Sequence, residues 1–97
     1  MKVTIKIAAI IPPDGDRCGF VMYKLTYPDG STSDMIQPFL KGGPHEHPQA
    51  WGWDGNIDGP TLRPSYLCTD PITKARVHLH LTQGRIELFS DSTVELG

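Results

Sequence analysis

The sequence predicts a mainly β domain, a small antiparallel sheet or sandwich with little helix. Three observations carry this. Val77-His-Leu-His-Leu-Thr-Gln-Gly-Arg-Ile-Glu-Leu-Phe89 reads as a β-hairpin. The 97 residues include 10 glycines and 9 prolines, enough turns to disfavour long helices. The opening Met1-Lys-Val-Thr-Ile-Lys-Ile alternates apolar and polar residues, the period of a strand with one buried face.

The hairpin fixes its own register. With Gln83-Gly84 as a two-residue turn, Thr82 faces Arg85, Leu81 faces Ile86, His80 faces Glu87, Leu79 faces Leu88 and His78 faces Phe89. Strand side chains alternate between faces, so Val77, Leu79, Leu81, Ile86 and Leu88 share one side. His78, His80, Thr82, Arg85, Glu87 and Phe89 share the other. A slip of one residue would scatter the apolar set over both faces.

The remaining elements follow in order. Residues 3–10 form a strand ended by Pro12-Pro13-Asp14-Gly15. Residues 18–27 form a second, and Pro28-Asp29-Gly30 turns the chain into a third at about 31–37. Residues 41–50, with two prolines and two glycines, read as a mobile loop. Short strands near 50–54 and 62–68 precede the hairpin, and Thr93-Val-Glu-Leu adds an edge. The length suits one domain, residues 1–97.

Composition excludes some roles. A net charge of −2 argues against a general binder of nucleic-acid backbones. No apolar run approaches the roughly 18 residues that would span a bilayer, and the first residues lack a signal peptide's continuous apolar stretch. Cys18 and Cys68 are too sparse for a disulfide framework, so reduced thiols in a cytosolic setting are the expectation.

Several side chains could carry chemistry. The histidines come as pairs at i, i+2, His45/His47 and His78/His80, spacing that puts both imidazoles of an extended pair on one face. Such a pair suits zinc when Cys18, Cys68 or Glu87 supplies further ligands; the alternative is a surface ion pair between His80 and Glu87. Trp51 and Trp53 share a face, to stack on a ligand or to complete the core. Arg63, between Leu62 and Pro64, could hold a carboxylate or phosphate or make an ion pair with Asp54 or Asp58. Neither cysteine has a context that would activate it as a nucleophile. Gly42-Gly43 lacks the lysine and helix of a phosphate loop, and no carboxylate pair declares a glycosidase. An enzyme is the minority reading.

Trp51-Gly-Trp-Asp-Gly, Pro60-Thr-Leu-Arg-Pro-Ser65, Arg76-Val-His78 and Gly84-Arg-Ile-Glu-Leu-Phe-Ser-Asp91 resemble, in the same order, motifs of small phage and prophage proteins often labelled ammonia monooxygenase. The resemblance covers roughly residues 15–97; the enzymatic label is not carried over. It implies a zinc-ribbon-like module with cysteine and histidine ligands. In this chain Gly15 stands at the first family cysteine, Cys18-Gly19 matches the second, and Val77 replaces the cysteine before His78. The late histidine after Asp91 is missing. The resemblance therefore implies a divergent member that keeps the β-scaffold and has lost most of the metal site.

The leading functional expectation is a non-enzymatic phage or prophage accessory protein in the bacterial host's cytoplasm. It would bind a host protein or small anionic ligand, and counteracting a host defence system is a specific version. The binding surface would comprise Trp51, Trp53, Arg63, His78, His80, Arg85, Glu87 and Phe89, with no cofactor required. The alternatives are a zinc-stabilised structural module using Cys18, Cys68, His78 and His80, and, more weakly, a metal-dependent hydrolase. An exposed strand edge suits a homo-oligomer, a dimer before other assemblies.

Overall fold

A computed structural model of the protein describes residues 1–41 and 50–97. The loop expected at 41–50, with His45 and His47, thus lies outside the described residues except for its two ends. Among the described residues nine strands form two sheets, and no helix occurs. The first sheet starts as a meander of β1 (Lys2–Ile11), β2 (Gly19–Thr26) and β3 (Thr32–Leu40). Strand β4 (Trp51–Trp53) joins β3 in parallel, and β5 (Leu62–Arg63) joins β4 antiparallel. The second sheet is the antiparallel set β6 (Tyr66–Thr69), β7 (Arg76–Thr82) and β8 (Arg85–Leu88). Finally β9 (Glu95–Leu96) returns to pair in parallel with the start of β1. The six-stranded order is β5-β4-β3-β2-β1-β9.

Both sheets contribute to one apolar core. Val21, Tyr23 and Leu25 of β2 and Phe39 of β3 meet Tyr66 and the β7 residues Val77, Leu79 and Leu81. Leu79 and Leu81 are fully buried, each worth about 1.5–3 kcal/mol relative to an exposed side chain. The hairpin register is the one its alternation predicts, from Leu79 opposite Leu88 to Thr82 opposite Arg85. Gln83 and Gly84 both have positive φ, 49° and 77°, as a tight two-residue turn requires. The tip is docked: Gly84 N–H donates to Pro60 C=O at 2.9 Å, and Gln83 N–H to Thr61 Oγ1 at 2.9 Å.

Alternation in β1 changes phase at a bulge between Ile7 and Ala9. Ile5 and Ile7 pair with Leu25 and Tyr23; after the extra residue, Ile10 pairs with buried Val21, so the isoleucines keep facing the core. Two strand limits differ from the sequence expectation. Strand β3 runs on to Leu40 through Pro38, because β4 pairs with it only from Phe39 and leaves that edge of Pro38 without a ladder partner. The single strand expected at 62–68 is two strands in different sheets, separated at Pro64-Ser65, and the Arg63–Pro64 peptide is cis. This sheet change places Ser65.

Candidate functional site

The outer face of the second sheet gathers three side chains that the sequence does not connect. His78, in the central strand β7, has both ring nitrogens engaged. Nε2 lies 2.7 Å from Ser65 Oγ, and Nδ1 lies 2.9 and 3.1 Å from the two oxygens of Asp91. An ionised carboxylate can only accept, so Nδ1 carries the proton. In the neutral ring Nε2 is then an acceptor, and the Ser65 hydroxyl donates to it. The result is a continuous Ser65–His78–Asp91 hydrogen-bonded relay, the arrangement by which a serine is made nucleophilic.

Each member is held by its surroundings. Ser65 is the last residue before β6, and its carbonyl accepts from Trp51 Nε1 at 3.1 Å. The next residue, Tyr66, is buried, packs edge-on against Trp51 at 5.2 Å and donates its hydroxyl to Ile36 C=O at 3.0 Å. Alternation therefore turns Ser65 and Leu67 outward, and Leu67 pairs with His78. On the other side of His78, Phe89 N–H donates to the His78 carbonyl, and the two rings stack at 4.3 Å. Leu67, His78 and Phe89 thus form one row across the sheet, with Leu67 50% and Phe89 42% exposed. Asp91 follows β8 in a turn closed by Ser92 N–H donating to Phe89 C=O at 3.0 Å. Its hydrogen bond from His78 above all, with the Arg76 guanidinium at 3.7 Å, holds its carboxyl below the usual range.

The other predicted site residues are distributed around this row. His80 faces Glu87 across the hairpin, but its Nδ1 engages Thr82 Oγ1 at 2.9 Å. Arg85 and Glu87 are exposed on the same outer face. Trp51 and Trp53 are both half-buried against the core, Trp51 edge-on to Tyr66 and Trp53 edge-on to Phe39, each at 5.2 Å. Arg63 borders a recess of about 330 Å³ with Gly52, Trp53, Asp54 and Thr61. It makes no ion pair among the described residues; Asp54 instead accepts the Asn56 and Thr61 N–H groups.

The proposed zinc set does not converge. Cys68 pairs with Val77 and so lies on the core face of the sheet that carries His78 and His80 on its outer face. Cys18 precedes β2 in the other sheet, and both cysteines are free thiols. Among the described residues no three His, Cys, Asp or Glu side chains are grouped as metal ligands.

A second polar cluster joins the sheets. Asp70, after β6, accepts from the Tyr27 hydroxyl at 2.8 Å, from the Ser33 hydroxyl and from Ile72 N–H at 2.8 Å. The Ser33 bond, then the Ile72 N–H, then Tyr27 hold its carboxyl far below the usual range. Sequence reading missed Ser65, Asp91 and Asp70. Ser65 and Asp91 each end a motif that brackets His78, which was the one available signal.

No family model, curated protein or solved structure matches the chain. Among the described residues no helix is long and apolar enough to cross a membrane.

Proposed function

We propose that this protein is a serine hydrolase that cleaves an acyl bond, with Ser65 as nucleophile, His78 as general base and acid, and Asp91 as the group that orients and stabilises the imidazole. The observation that carries the reading is the Ser65–His78–Asp91 relay, with both imidazole nitrogens within 2.9 Å of their partners. Ser65 Oγ attacks the substrate carbonyl as its proton passes to His78 Nε2. The imidazolium, stabilised by Asp91, returns that proton to the leaving amine or alkoxide as the carbonyl–leaving-group bond breaks. The acyl group stays on Ser65 until a water, giving its proton to His78, attacks the acyl carbon; the bond to Oγ breaks, His78 returns the proton to Ser65, and the acyl group leaves as a carboxylic acid.

The strand pattern favours an extended peptide as the acyl chain. The His78 carbonyl accepts from Phe89 and its N–H is bound by Ser92 Oγ, so its main chain faces β8. In an antiparallel ladder Val77 and Leu79 then bond to β6 through Cys68 and Tyr66, which leaves the main-chain groups of Leu67 and Thr69 facing away from β7. Nothing among the described residues bonds to them. An incoming strand can add to this edge and run past Ser65.

The test is intact-mass analysis after exposure to a fluorophosphonate probe. One adduct on the wild type, mapped to Ser65 and absent in Ser65→Ala, is the expected result; an unlabelled wild type defeats the reading.

A non-catalytic second reading uses the same face. Exposed Leu67 and Phe89 beside His78, with Arg85 at the hairpin end of the same face, suit docking of a host protein or small anionic ligand by a phage or prophage accessory protein, including one that counteracts host defence. Self-association as a dimer fits β1, whose outer edge is paired, among the described residues, with β9 only at Lys2 and Val3. This reading gains if Ser65 stays unlabelled while Phe89→Ala abolishes binding.

A further inference from the structure

Asp91 sits where the second sheet has run out of ladder. Strand β8 ends at Leu88, and the last main-chain rung is Phe89 N–H to His78 C=O at 2.9 Å. The His78 N–H, which a continuing strand would satisfy with a carbonyl, instead donates to Ser92 Oγ at 3.0 Å. The same Oγ donates to the His78 carbonyl at 3.1 Å. One hydroxyl thus binds both main-chain groups of the residue whose side chain binds Asp91. Thr93 repeats the device one rung on: its N–H donates to Arg76 C=O at 2.9 Å, and its Oγ1 accepts Arg76 N–H at 2.8 Å.

Such a clasp has a geometric consequence. The turn Phe89–Ser92 is closed by its own hydrogen bond, so it moves as a unit. Fixing Ser92 to the His78 main chain therefore fixes Asp91 relative to the imidazole. Without the hydroxyl, the turn keeps its anchors at Phe89 and Thr93, but Asp91, whose side chain is 49% exposed, loses the tie at the residue beside it. Carboxylate and imidazole could then drift apart into water.

We infer that Ser92 is the positioning residue of the site, clasping the His78 main chain so that the turn it closes delivers Asp91 to Nδ1. This rests on the serine-hydrolase reading. Ser92 touches no reacting atom and acts through Asp91 and His78. A displacement on the order of 1 Å in such a relay costs up to about 100-fold in rate.

The experiment compares wild type, Ser92→Ala and Ser92→Thr in the full chain by fluorophosphonate labelling kinetics and by proton NMR of the His78 Nδ1–H. Ser92→Ala should label roughly 10- to 100-fold more slowly and lose its Nδ1–H resonance to solvent exchange, while Ser92→Thr, which keeps the hydroxyl, restores both. Thermal melting of each variant ensures that folded protein is compared. If Ser92→Ala does not fold, Ser92→Cys, with a weaker donor and acceptor of similar size, takes its place. A labelled wild type with an unaffected Ser92→Ala overturns the role of Ser92 alone. An unlabelled wild type removes the hydrolase reading and, with it, the positioning role.

Discussion

Among the described residues, Tyr23 and Gln37 form the one fully buried side-chain pair joined by a hydrogen bond, and its worth can be measured by a closed cycle. The Tyr23 hydroxyl donates to Gln37 Oε1 at 2.6 Å, and the two residues are 0% and 1% exposed. Every other buried polar side-chain atom among the described residues is also satisfied, so the site has no spare partner to offer. Tyr23→Phe removes the donor and leaves an amide oxygen buried without one, a loss of about 1–3 kcal/mol. Taking about 2 kcal/mol, and about 4–8 °C per kcal/mol for a domain of this size, the melting temperature should fall by roughly 8–16 °C. Gln37→Leu strands the hydroxyl instead and should cost about the same. The double variant replaces both polar groups with apolar ones and should be more stable than the sum of the single losses predicts, by at least about 1 kcal/mol. Urea denaturation followed by tryptophan fluorescence reads all four proteins. Tyr23→Phe within about 0.5 kcal/mol of wild type, or strictly additive losses, would refute the claim that this bond is a buried, coupled element of the core.

Two further outcomes follow from the site and the junction of the sheets. Asp91→Asn should slow fluorophosphonate labelling by on the order of 10³–10⁴-fold, because an amide can donate to Nδ1 and so leave the proton on Nε2, where Ser65 needs an acceptor; wild-type kinetics would remove Asp91 from the relay. Asp70 has its carboxyl depressed by Ser33, Ile72 and Tyr27, so its stabilising effect is fully present above the unfolded carboxylate value near about pH 4 and is lost as pH falls through its lower folded value. Thermal melts between about pH 5 and 2 should therefore fall more steeply for wild type than for Asp70→Asn, and parallel curves would count against it.

What could be read from the sequence was governed by alternation. The hairpin from Val77 to Phe89 carries five aliphatic side chains that agree on one register, so its pairing, its faces and its turn were all legible. The Ile7–Ala9 bulge, the parallel joins of β4 and β9 and the change of sheet at Pro64-Ser65 were not, because each depends on which strand lies alongside. The site shows the same division. His78 was placed on the outer face by period alone. Ser65 and Asp91 reach it from a sheet crossing and a turn, where no periodicity says which way a side chain points. Cys68 faces the core through its pairing with Val77, a placement that spacing along the chain does not carry.

The meander that holds the relay has a kinetic meaning. Ser65 lies 13 residues before His78, and Asp91 lies 13 residues after it, so both contacts close short loops within one stretch of chain. The pairing of β1 with β9 joins segments more than 90 positions apart. Short loops close at low entropic cost and distant ones late, so the order of assembly runs from the relay outward. The three residues thus travel as a single cassette. A chain that stalls before β9 docks would already have brought serine, histidine and aspartate together, while the remote strands decide how long that arrangement lasts.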